Sequence, residues 1–132
     1  MRFTRNQKGF TLVEIMIVVA IIALLAAIAI PNLLRAKISA NDALAKGTLR
    51  SLSTASEAFA TSNSGNYPGA IGSLTSATPP YISQSYCSTT ASGYTYSCTF
   101  AAGSYSFVAT PVTVGTSGTT VFTISTGGVL TP

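Results

Sequence analysis

The hydropathy of this chain changes character twice. From Phe10 to Ile30 it reads FTLVEIMIVVAIIALLAAIAI, a stretch with one charge, Glu14, and an unbroken apolar run from Ile15 to Ile30. As a helix it would be ~31 Å long, matching the ~30 Å hydrocarbon core of a bilayer. After Pro31 the apolar positions thin out to Leu34, Ile38, Ala45, Leu49, Leu52 and Phe59. Their steps of three, four and seven draw one apolar stripe along an otherwise polar helix. Pro31 lacks a backbone donor and crowds the preceding turn, so a kink or weak point is expected there, with a milder one at Gly47. Asp42 and Lys46 stand four apart in the order that favours an ion pair. The turn residues SNSGNYPG, from Ser62 on, end the helix near Thr61.

Beyond the helix the period becomes two. Tyr94, Tyr96, Cys98 and Phe100 alternate with polar residues, as do Tyr105, Phe107 and Ala109, then Phe122 and Ile124. The breaks at AlaAlaGly 101–103, GlyThrSerGly 115–118 and ThrGlyGly 126–128 predict a meander of three or four antiparallel strands. Its aromatic face needs a cover, and the helical stripe ending at Phe59 is the surface at hand. The expected fold is therefore α+β: a long N-terminal helix whose second half packs on a small antiparallel sheet. The expected segments are 1–9, a basic leader; 10–30, a hydrophobic helix; 31–61, an amphipathic helix; and 62–132, a loop and sheet.

The chain has 132 residues, room for one small domain. All ten of its charged residues lie between Arg2 and Glu57. The acids are Glu14, Asp42 and Glu57, and there is no His. On one helix these acids would stand ~42 and ~22 Å apart, too far to converge in one subunit. Two Cys with no His or nearby acid give too few ligands for a transition metal, and the acid-free second half offers no calcium loop. No catalytic residue, metal or cofactor is expected, and the chain reads as a non-enzyme. Cys87 and Cys98 are either two buried thiols or a bridge worth ~2 to 4 kcal/mol. The exported character of the rest favours the bridge and an oxidising compartment.

Two readings of the N-terminus compete on composition alone. An ordinary secretory signal would be cut at Ala27-Ile28-Ala29 and release a soluble head. Alternatively the cut falls between Gly9 and Phe10 and the apolar helix stays. The segment Lys8-Gly9-Phe10-Thr11-Leu12-Val13-Glu14, behind the basic Arg2 and Arg5, closely resembles the class III leader junction of type IV pilins and their pseudopilin relatives. The resemblance extends over residues 1 to about 60, including Pro31 at the end of the apolar run. It implies a prepilin peptidase that cuts after Gly9 and methylates Phe10. It also implies a single membrane pass with a cytoplasmic N-terminus, then assembly of a homo-oligomeric helical filament outside the cell. The implied partners are an inner-membrane assembly platform with a cytoplasmic ATPase and an outer-membrane secretin.

Physical chemistry supports one part of this directly. A carboxylate in a spanning helix costs ~2.5 to 3.5 kcal/mol at mid-membrane and less near the interface. A cut before Phe10 gives each subunit one ammonium and one carboxylate, Glu14, about a turn apart, and a shifted neighbour can pair them in a filament core. Glu14 can also simply complement its own helix terminus. Phe10, Glu14 and Pro31 are the assembly residues of this reading, and in similar pilins the segment before the Pro, here about 23–31, loses helix in the filament. The leading function is a major pilin serving attachment, twitching motility or DNA uptake. The alternatives are a type II secretion pseudopilin, a minor pilin, and the secreted soluble module. Removing Arg2, Arg5 and Lys8 lowers the formal side-chain charge from +4 to +1. With no cation beyond Arg50, direct nucleic-acid binding is not expected.

Overall fold

The computed structural model describes residues 9–132, so all of the expected leader except Gly9 lies outside the described residues. Helix α1 runs from Leu12 to Ser62, 51 residues with Pro31 inside. Contacts divide the chain into two compact units, one ending at Arg35 and the other spanning Ala36–Pro132.

The unit from Ala36 onward is the head. Its sheet is a five-stranded antiparallel meander in the order β1 (Thr90–Ala91), β2 (Tyr94–Ala101), β3 (Ser104–Pro111), β4 (Phe122–Ser125), β5 (Val129–Thr131). The period-two pattern predicts β2, β3 and β4. β1 and β5 are extra, and both are too short to show a period. A second short helix, α2 (Ile71–Thr75), lies in the segment expected to be loop, and Leu74 in it is buried.

Register aligns the apolar residues in rows across the strands. Cys98 pairs with Phe107, Phe107 with Ile124, and Ile124 with Leu130; the next row is Tyr96, Ala109 and Phe122. One face of the sheet is thus aromatic and aliphatic, and Ala45, Leu49 and Leu52 of α1 join it in one buried cluster. Burial of apolar surface at ~25 cal/mol per Å² drives this packing. Ring pairs add geometry to it: Tyr105 stacks on Phe107 with centroids 4.9 Å apart, and Phe100 meets Phe107 edge-on at 5.5 Å. Cys87 and Cys98 form a disulfide with Cα atoms 5.4 Å apart, which ties the loop before β1 to the middle of β2.

The Tyr96 hydroxyl is buried and has no hydrogen-bond partner among the described residues. Gly118 is held against Tyr94: a Cβ there would overlap the phenol ring, so only glycine lets this loop close on the sheet.

Candidate functional site

The N-terminal unit is described first, by itself. In a soluble fold an apolar helix buries at least one stripe; here none of residues 9–35 is buried. Ile15, Met16, Ile17, Val18, Val19, Ile21, Ile22, Leu24, Leu25, Ile28 and Ile30 are all more than half exposed, and they point to every side of the helix. A continuous apolar surface of this size marks contact with lipid or with other protein. The segment is long and apolar enough to cross a membrane. Ala20, Ala23, Ala26, Ala27 and Ala29 are interspersed along it, small enough to let helices approach closely.

At its start sits a reciprocal cap. The Thr11 backbone N–H and hydroxyl both donate to Oε2 of Glu14, at 2.7 and 2.8 Å, and the Glu14 N–H donates to the Thr11 hydroxyl at 3.2 Å. Thr-x-x-Glu is the capping-box pattern, a signal present in the sequence and missed by the reading above. The acid therefore serves its own helix first, while Oε1 accepts no hydrogen bond among the described residues. Phe10, immediately before the cap, is 85% exposed. Gly9 and Phe10 precede the helix and are exposed, so their peptide bond lies outside regular structure.

Pro31 does not interrupt α1. Its nitrogen carries no hydrogen, so the Ala27 carbonyl has no i+4 donor. The neighbouring Asn32 side-chain amide donates to the Ile28 carbonyl at 3.1 Å. The helix persists through the proline with one ladder bond missing.

In the head, Asn41, Asp42 and Glu57 of α1 reach across to loops and strands. The Asn41 amide donates to the Ser117 carbonyl at 2.7 Å. Asp42 accepts from the Tyr94 phenol at 2.7 Å, the Thr119 hydroxyl at 2.6 Å and the Thr119 N–H at 3.2 Å. Glu57 accepts from the Tyr105 phenol at 2.8 Å, the Tyr67 phenol at 2.9 Å and the Gly127 N–H at 2.9 Å. The Tyr105 proton goes to the carboxylate, so Ser53, 2.7 Å away, donates to Tyr105. Thus α1 clamps the β3–β4 loop at Asp42 and the β4–β5 turn at Glu57.

The expected Asp42–Lys46 ion pair is not formed. Asp42 turns to Thr119 and Tyr94, and the Lys46 ammonium lies 4.7 Å over the Phe122 ring. Burial pushes both carboxyls up, but these hydrogen bonds outweigh it and leave Asp42 and Glu57 below their ordinary values. Burial first, then the facing carboxylate, raises the phenols of Tyr94 and Tyr105 to about 12. No group of three or more His, Cys, Asp or Glu is arranged to hold a metal among the described residues.

A helix with an unburied apolar N-terminal part, and a C-terminal part that covers a small antiparallel meander, defines the α+β class built by type IV pilins. Residues 4–30 match the family model described as a prokaryotic N-terminal methylation motif. The chain is 38% identical over 110 residues to the type IV wide pilus major component PilA4 of Thermus thermophilus, covering 81% of this chain and 84% of that protein. It therefore belongs to the type IV pilin family. Shorter stretches of the chain are shared more widely. Identity is 50% over 58 residues to the type IV major pilin PilA of Myxococcus xanthus, which is 44% of this chain and 26% of that one. It is 37% over 59 residues to the type II secretion system core protein G of Pseudomonas aeruginosa, covering 45% and 42%. No solved structure matches the chain significantly.

Proposed function

We propose that this chain is a major pilin, a non-enzymatic subunit that assembles with its own copies into a type IV pilus. The observation that carries this is the helix from Leu12 to Ile30: apolar on every side, unburied, and bearing one acid a single turn after Phe10. A prepilin peptidase cuts between Gly9 and Phe10 and methylates the new amino terminus. The subunit then waits in the inner membrane with its N-terminus cytoplasmic and its disulfide-bonded head outside, and a platform with a cytoplasmic ATPase and a secretin exports the growing fibre.

In that fibre Glu14 has two tasks. Oε2 keeps the cap with Thr11, and Oε1 accepts the Phe10 ammonium of a neighbour. A charge-assisted bond in a low-dielectric core is roughly twice as strong as a neutral one. The cap also lowers the cost of Glu14 in the lone subunit, so pairing acts chiefly on register between neighbours. Pro31, with its missing ladder bond, is where the helix yields on packing.

A pseudopilin of type II secretion is the second reading, favoured by the likeness to core protein G. The pilus reading is preferred because the likeness to PilA4 continues through the head, where this chain has a disulfide and residues 58–132 contain no acid.

Intact mass and N-terminal sequencing of the cell-associated protein test the processing. A start at N-methylated Phe10 is expected, whereas a start at Ile30 refutes the proposal. Glu14→Leu is expected to be inserted and processed like the native chain and to yield few sheared surface fibres. Undiminished fibre from that variant removes the pairing step.

A further inference from the structure

Between α1 and the edge strand β5 the head has a shallow cavity of about 280 Å³, lined by Lys46, Arg50, Phe122, Leu130, Thr131 and Pro132. Lys46 and Arg50 stand one turn apart on the same helix face, a like-charge spacing that disfavours the helix unless an anion bridges it. No ion pair forms at either residue among the described residues; Lys46 instead rests on the Phe122 ring, which fixes where its ammonium points. The side-chain acids of the head are already engaged within their own subunit, Asp42 and Glu57 each accepting three hydrogen bonds.

We propose that this cavity binds a carboxylate-bearing sugar of an acidic polysaccharide. The Arg50 fork matches a carboxylate in geometry, and Lys46 adds a second donor charge. Leu130 offers apolar area to a ring, and the exposed Thr131 hydroxyl stands beside it. The volume suits one ring-sized group, at the small end of ligand sites.

The surroundings decide between polyanions. Residues 51–132 contain no Lys or Arg, and 28 of the last 75 residues are Ser or Thr. A nucleic acid carries a charge at every phosphate and needs a track of cations. A uronate sugar sets its carboxylate on a rigid ring among its own hydroxyls, so one cationic point with hydroxyl and amide partners around it can hold it. The head has that distribution.

The site lies within the folded head, so it stands or falls separately from filament assembly. The test uses the full-length chain in nonionic detergent, with oligogalacturonate as probe and neutral dextran and a DNA oligonucleotide of equal charge as comparators. Saturable binding of oligogalacturonate is expected, with dextran and DNA bound at least about tenfold more weakly. Lys46→Gln with Arg50→Gln should weaken binding by about tenfold, as expected for two exposed charge contacts, with an unchanged melting transition, and Lys46→Arg with Arg50 kept should retain it. The assignment is overturned by absence of oligogalacturonate binding, by equal binding of the double Gln variant, or by tighter binding of DNA. Binding seen with the free chain and lost in sheared fibres also overturns it, making the cavity a contact between subunits.

Discussion

The two units of this chain solve opposite problems with the same helix. Before Arg35, α1 presents apolar side chains on all sides and keeps its one acid busy with its own first turn. After Ala36, the same helix buries a stripe of Ala45, Leu49 and Leu52 and spends its acids on strand and loop groups 10 to 77 residues away in sequence. The first unit is unfinished without lipid or neighbours, while the second is complete by itself. The carboxylates of the head are therefore fasteners of the fold, whereas Glu14 fastens only the start of its own helix and is left to the assembly role proposed above.

That contrast can be broken by substitutions that separate head stability from assembly. Phe107→Ala empties the centre of the aromatic row and should cost ~3 to 5 kcal/mol of head stability by denaturant unfolding in detergent. Glu14→Leu should leave the same transition unmoved; a shift of comparable size would mean that the two units are not independent. Replacing Cys87 and Cys98 by Ser should cost ~2 to 4 kcal/mol. Glu57→Ala leaves the Tyr105 phenol with Ser53 alone and the Gly127 N–H unpaired, and ~1 to 3 kcal/mol is expected. At the small end, Tyr96→Phe removes a buried hydroxyl that has no partner and should leave the head as stable or slightly more so. A loss of more than ~1 kcal/mol would mean that the hydroxyl is satisfied by bound water.

The pH dependence sharpens the comparison further. Asp42 and Glu57 are held below their ordinary values, so the stability they confer is present above the unfolded-state values of about 4 and is lost as pH falls through the lower folded-state ones. Tyr94 and Tyr105 titrate at about 12, so their contribution is intact below the unfolded value of about 10 and is lost on the way to 12. The melting temperature of the head should be flat between, and Asp42→Asn with Glu57→Gln should remove most of the acid limb.

The extent of α1 was legible from an unbroken apolar run followed by a 3.6-residue period, and β2, β3 and β4 from alternation. β1 and β5 were not, since two or three residues cannot display alternation. The clamps at Asp42 and Glu57 escaped for a different reason. Local spacing assigned Asp42 to Lys46, but the partners that won, Thr119 and Tyr94, are brought close only by the closed meander. At the N-terminus the capping box is legible in the spacing of Thr11 and Glu14, three residues apart.

The order of the clamps along the chain bears on how the molecule is made. The helix that carries Asp42 and Glu57 is synthesised before Thr119 and Gly127 exist to meet them. Until the final hairpin leaves the ribosome, the acids of the head are solvated and its aromatic face is uncovered. Folding of this head thus has a high contact order and waits for its last strands, so a chain interrupted before Thr119 has its apolar helix but no finished head.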